Sequence, residues 1–162
     1  MTKESLMNLS LVLTVIADDK PGIVGQLSSV IKQNQGNWLE SRMASLAGKF
    51  AGILHITVEE SHADNLLADL ATLSGKGIEV RAERGNVAHG RTVHLRLNLV
   101  GNDRPGIVRE VSQALASLNI NVLELTTDCG AAEMSAVPLF RAEAELEVPA
   151  DLDQQVVADA IE

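Results

Sequence analysis

Asp18-Asp19-Lys20-Pro21-Gly22-Ile23-Val24 returns 84 residues later as Asn102-Asp103-Arg104-Pro105-Gly106-Ile107-Val108. The same spacing carries Ser28 onto Ser112 and Asn37-Trp38-Leu39-Glu40 onto Asn121-Val122-Leu123-Glu124. Three anchors at one offset mark the chain as a duplication, so each copy is read as one folding unit.

Around these anchors the hydrophobic period changes in the same order twice. Leu9, Leu11, Leu13 and Val15 alternate with neighbours facing the other way, as do Val93, Leu95, Leu97 and Leu99 beside His94, Arg96 and Asn98. Both runs are half-buried first strands. After Pro21 the apolar positions 23, 24, 27, 30 and 31 form a helical stripe, with Pro placed at the first helical position and Gly36 beyond the end. Ile107, Val108, Val111 and Leu115 repeat the stripe. Two strand-like runs follow, Asn37 to Leu46 and Phe50 to Glu59, joined through Ala47-Gly48-Lys49 as a hairpin. Ser61 with Asp64 predicts a capping box for a second helix, whose stripe Leu66, Leu67, Leu70 and Leu73 stops at Gly75-Lys76-Gly77. Ile78 to Arg84 closes the unit. The order strand, helix, strand, strand, helix, strand predicts an α+β fold of two tandem ferredoxin-like units.

The second copy departs from the first in two places. Its hairpin is longer by about six residues around Gly130 to Pro138, because Thr57-Val58 matches Glu147-Val148 at a wider offset. Asp151 and Gln154 are expected to open a helix bearing Leu152, Val156, Val157, Ala160 and Ile161, and no counterpart of the strand Ile78 to Arg84 follows. The final strand is therefore truncated, absent from a three-stranded sheet, or supplied by another chain. The expected division is a first domain over 5–84, a short polar linker over 85–91 and a second domain over 92–162.

Thirteen Lys and Arg against 22 Asp and Glu leave a net charge of −9, of which the second unit carries −7. Without a basic stripe, and with two Phe, one Trp and no Tyr, the chain lacks both the charge and the stacking platform for direct nucleic-acid binding. The longest early apolar run, Leu11 to Ala17, is too short to span a bilayer, which takes roughly 20 apolar residues. The single Cys129 cannot form an internal disulfide, and the expected location is cytoplasmic. His55, His62, His89 and His94 have no metal-ligand spacing, and no nucleophile elbow, phosphate loop or paired carboxylate nominates a catalytic centre. Neither a metal, a cofactor nor an enzymatic activity is expected.

The repeated loop itself has usable chemistry. A helix opening at Pro21 leaves the N–H groups of Gly22, Ile23 and Val24 without intrahelical partners, and that end carries about half a positive charge, which favours a ligand carboxylate. Asp19 beside it suits an ammonium, and Gly22 admits close approach. Asn37 is expected to add a donor and an acceptor at the same helix mouth. Asp103, Gly106, Ile107, Val108 and Asn121 repeat the set. Turns that merely start helices would use the same residues, so the loops alone leave the choice between turn and ligand site open.

The two Asp-Lys/Arg-Pro-Gly-Ile-Val segments resemble those of the ACT-domain superfamily, small ferredoxin-like modules that bind amino acids and regulate a partner. Two copies without an appended catalytic domain, with Met134-Ser135 and Pro138-Leu139-Phe140 in the long hairpin, resemble the glycine cleavage system transcriptional repressor family. That resemblance implies an amino-acid ligand, glycine first, and action through a DNA-binding transcriptional activator. A regulatory subunit of an amino-acid biosynthetic enzyme is the alternative, and self-association is left open. The first sheet's outer face, with Val12 and Ile16, is expected to be partly covered, and the second's, with His94, Arg96 and Asn98, to be wetter.

Overall fold

The computed structural model describes residues 7–86, 92–131 and 138–161. The chain falls into two compact units, residues 1–88 and 89–162. Residues 87–91 of the expected linker and 132–137 of the long hairpin lie outside the described residues.

The first unit runs β1 (Asn8–Asp18), α1 (Ile23–Gln33), β2 (Asn37–Leu46), β3 (Lys49–Glu59), α2 (Glu60–Thr72) and β4 (Ile78–Arg84). The strands form one antiparallel sheet in the order β2-β3-β1-β4. Alternation in β1 puts Leu11, Leu13, Val15 and Ala17 on the face that the helices cover, opposite Leu54, Ile56 and Val58 of β3. Ile23, Leu27 and Ile31 of α1 and Ala63, Leu66 and Leu70 of α2 complete the core. Each large side chain buried here contributes on the order of 1.5 to 3 kcal/mol.

The element ends show where local chemistry differs from expectation. Helix α1 starts at Ile23, not at Pro21; Pro21 lies in the preceding turn and Gly22 is the N-cap, at a φ of 95°. A side chain at that φ would be strained, so glycine is the residue that lets β1 turn into α1 there. The capping box does not form. Helix α2 begins at Glu60 without a side-chain cap, and Ser61 Oγ instead donates to Glu59 Oε1 at 3.1 Å. The hairpin between β2 and β3 is closed by Ala47 and Gly48, both at positive φ, as a two-residue loop with the twist of its strands requires. After α2 a 3-10 turn, Leu73–Lys76, ends at Gly77, again at positive φ.

The second unit runs β5 (Thr92–Asn102), α3 (Ile107–Ser117), β6 (Asn121–Ala131), β7 (Pro138–Pro149) and α4 (Gln154–Ile161). Its sheet has the order β5-β7-β6, which is the first sheet without a fourth strand among the described residues. Helix α4 starts later than expected. Asp153 rather than Asp151 serves its first turn, accepting the Gln155 N–H at 3.0 Å. The core gathers Leu115, Ile120, Leu146, Val148 and Val157, while Leu95 and Leu97 are only partly buried. On the outer face Arg96 Nε stands 3.5 Å from Glu145 and His94 Nε2 4.0 Å from Glu147, each directly across the β5–β7 ladder. In the first sheet Val12 is half-buried, whereas Ile16 stays 50% exposed within the unit.

Both copies carry a register irregularity at matching positions, Trp38/Glu40 in β2 and Val122/Glu124 in β6. The Leu13→Ala variant tests the account of the first core, since Leu13 is fully buried. Its unfolding free energy should fall by about 3 kcal/mol in denaturant titrations. A loss below about 1 kcal/mol would mean that the helices do not pack on this face.

Candidate functional site

The end of the first unit where α1 begins is built by three segments. Asp19 N–H donates to the Gly48 carbonyl at 3.0 Å, and Ser45 Oγ donates to Asp19 Oδ2 at 2.6 Å, so the hairpin holds both the backbone and the carboxylate of Asp19. Lys20 Nζ donates to the Lys76 carbonyl at 2.8 Å, tying the loop to the turn after α2. Lys49 pairs with Asp18 and holds its carboxyl below the usual range, through a hydrogen bond first and charge second. The first helical bond runs from Gln26 N–H to the Gly22 carbonyl at 2.9 Å, which leaves Ile23 and Val24 N–H without helical acceptors. No acidic side chain sits in this first turn to neutralise the dipole. A broad groove of about 610 Å³ runs from Gly22 between α1 and α2, bounded by Gln26, Ser29, Asp69, Thr72 and Lys76.

The second copy repeats the frame with different chemistry at its mouth. Gly106 has a φ of 85°, Glu110 N–H donates to the Gly106 carbonyl at 3.0 Å, and Asp103 N–H donates to the Pro138 carbonyl at 3.0 Å. Here, however, Glu110 occupies the first turn and Arg104 grips it, with Nη1 2.8 Å from Oε1 and Nη2 bonded to Oε2. That bond lowers the Glu110 pKa and raises that of Arg104, and Ile107 N–H makes a long 3.4 Å contact with the Arg104 carbonyl. Cys129 occupies the place of Ser45, 84 positions on, and its thiol donates to Asp103. That hydrogen bond, followed by burial and the negative charges of Asp103 and Asp128, pushes the thiol pKa up.

The sequence reading places ten residues at two mouths, and the structure gathers eight of them. Asp19, Gly22, Ile23 and Val24 stand together, as do Asp103, Gly106, Ile107 and Val108. Ile23 turns its side chain into the core and offers only its backbone, while Val24 and Val108 are about half exposed. Asn37 and Asn121 are elsewhere, because they open β2 and β6 just after the C-terminal ends of α1 and α3. Asn37 pairs with Thr57 and Leu46 with Lys49, so Asn37 lies eight positions along β3, roughly 27 Å, from the hairpin that holds Asp19. Ser45, Gly48 and Cys129, missed in the sequence, do reach the acids. Their signal was the 84-residue match of one small hydrogen-bond donor, Ser45, onto another, Cys129. Among the described residues no group of three or more His, Cys, Asp or Glu is arranged to hold a metal, and no helix is long and apolar enough to cross a membrane.

Residues 10–82 match the ACT domain family, a span that covers β1 through most of β4. The first unit thus has the ferredoxin-like fold of an ACT domain. Over 116 residues the chain is 28% identical to an ACT domain-containing protein of Arabidopsis thaliana, covering 65% of this chain and 25% of that relative. The chain thus spans about a quarter of that relative's length. Among solved structures, an unknown protein from Galdieria sulphuraria is 29% identical with a TM-score of 0.79, covering 94% of this chain and 89% of that one. A protein provisionally named a glycine cleavage system transcriptional repressor shares the fold at a TM-score of 0.68 and 17% identity, covering 94% and 88%. The two-unit fold of this chain is thus shared along nearly the whole of these two solved chains.

The Asp103–Cys129 contact makes a chemical prediction. A raised thiol pKa means less thiolate at a given pH, so Cys129 should alkylate with iodoacetamide at pH 8 more slowly than an unperturbed cysteine in a neutral peptide. Asp103→Asn should speed the reaction. Equal rates in the native chain and the variant would show that the thiol and the carboxylate do not interact.

Proposed function

We propose that this chain is an amino-acid-sensing regulator that binds glycine at its helix-mouth loops and controls glycine cleavage system transcription through a DNA-binding activator. The observation that carries the reading is the repeated loop, an acid followed by Pro-Gly with the glycine at positive φ, opening a helix without a side-chain cap. A ligand carboxylate meets the N–H groups of Ile23 and Val24, or of Ile107 and Val108, and its ammonium meets Asp19 or Asp103. Ser45 and Cys129 hold those acids in place. The first mouth is the better carboxylate site, since the Glu110 carboxylate already sits in the first turn of the second. Asn37 and Asn121 stand outside both.

The regulatory part is supported by the match of residues 10–82 to the ACT domain family and by the fold shared with the provisionally named repressor. A net charge of −9 without a basic stripe supports action through a partner instead of direct contact with DNA.

Calorimetry with glycine and the other amino acids tests the site. Charge-assisted hydrogen bonds to the ammonium are worth roughly 1.5 to 3 kcal/mol, so the Asp19→Ala, Asp103→Ala double variant should bind about ten- to a hundredfold more weakly. Melting curves without ligand must accompany the titrations, because both acids are bonded to neighbouring strands. Unchanged affinity would reduce the loops to turns. Affinity capture from a lysate tests the partner, and recovery of a biosynthetic catalytic subunit in place of a DNA-binding activator would make the chain an enzyme's regulatory subunit.

A further inference from the structure

The second unit is hollow where the first is filled. An open cavity of about 170 Å³ lies between α3 and the sheet, walled by Leu97, Leu99, Val111, Leu115, Leu125 and Phe140. Its origin is legible in the substitutions between the copies. By strand register and the repeat offset, Ala144 stands where Leu54 fills the first core, Thr127 where Met43 lies across the sheet, and Val122 where Trp38 packs. Val111 likewise replaces Leu27. Leu125 in place of Ser41 and Ala142 in place of Gly52 return only part of the lost volume. A fourth strand, which the described residues do not include, would not account for the space, since it would pair on the far side of β5, while β6 forms a wall of the cavity.

We propose that this cavity is a binding site for a small, neutral, hydrocarbon-like molecule, aliphatic or aromatic, bearing at most one hydrogen-bonding group. The lining carries no charged side chain, and its polar members are the hydroxyls of Ser112 and Thr127, both on exposed residues and therefore at the rim. A zwitterion would lose its hydration inside with nothing to replace it. Val108, Val122 and Leu125 of the lining are 37% to 50% exposed, so the site is open on one side, and an apolar guest there displaces water that finds almost no polar partner on the walls. The volume also selects against macromolecular occupants, because a partner helix is about 10 to 12 Å across. A rim hydroxyl leaves room for one phenol or alcohol group at the open end. The cavity adjoins the second loop through the Val108 side chain, which lines it, but calls for a ligand of different chemistry from the one proposed at the loops, and its site involves the second unit only.

The test uses the full chain with methyl-resolved NMR and benzene as the probe. Benzene should shift the methyl signals of Ala142, Ala144 and Val111 in a saturable one-to-one titration, and leave those of Leu13 and Leu54 unmoved. Benzoate, of the same shape but charged, should bind at least tenfold more weakly. Ala144→Leu restores the side chain that the first core uses, and should weaken benzene binding at least tenfold. Thr127→Met, at the rim, provides a second filling variant with the same expected loss should the first pack poorly. No response of these methyls up to the solubility of benzene overturns the proposal. So does a response that both filling variants leave intact, or a self-association of the chain that the filling variants abolish while benzene has no effect.

Discussion

Both units depend on a reversal of direction at one glycine. At Gly22 and Gly106 the chain leaves the end of the first strand of its unit and enters a helix that packs on the sheet, and the turn demands a φ of 95° and 85°. That geometry fixes which residues of α1 face inward, so that Ile23, Leu27 and Ile31 meet Leu13, Val15, Leu54 and Ile56. The same turn follows an acid that the hairpin holds, with Gly48 and Ser45 bonded to Asp19. Fold and candidate site are thus consequences of the same backbone conformation, and a side chain at either glycine would disturb both at once.

The two copies have used this frame differently. The first has a continuous core and an unneutralised helix mouth. The second has lost volume at Ala144, Thr127 and Val122, and has placed an Arg104–Glu110 pair at its mouth. Missing contacts against a cavity wall cost stability in proportion to the space left. The second unit therefore has a less filled core and a helix start partly neutralised by Glu110, and its outer face carries cross-strand charge pairs at Arg96 and His94.

Much of the fold could be read from the sequence because its signals are periodic and repeated. The bounds of β2 and β4 coincide with those predicted, and the hairpin falls where Ala47-Gly48 places it. Helix starts were less legible. Pro21 and Ser61 are both common at such positions, yet the chain used the positive φ of Gly22 for one start and no side-chain cap for the other. At the site, the acids and the helix N–H groups were legible because they adjoin in sequence. Asn37 was misplaced because proximity to a helix in sequence says nothing about which of its ends is near. Ser45 and Cys129 reach the acids only through strand pairing, a nonlocal fact, and the cavity exists only as a difference between two cores.

The paired irregularities at Trp38/Glu40 and Val122/Glu124 sit in β2 and β6, each at the border of its sheet. A border strand with regular pleating is a template onto which another extended chain adds its own ladder. One extra residue breaks the spacing of the outward N–H and C=O groups and twists the strand, so that an incoming segment loses register after a few bonds. The duplicated defect thus limits, at that end of each border, how far an incoming strand stays in register, and leaves Glu40 to Leu46 and Glu124 to Ala131 as the regular stretches on which added pairing would have to start.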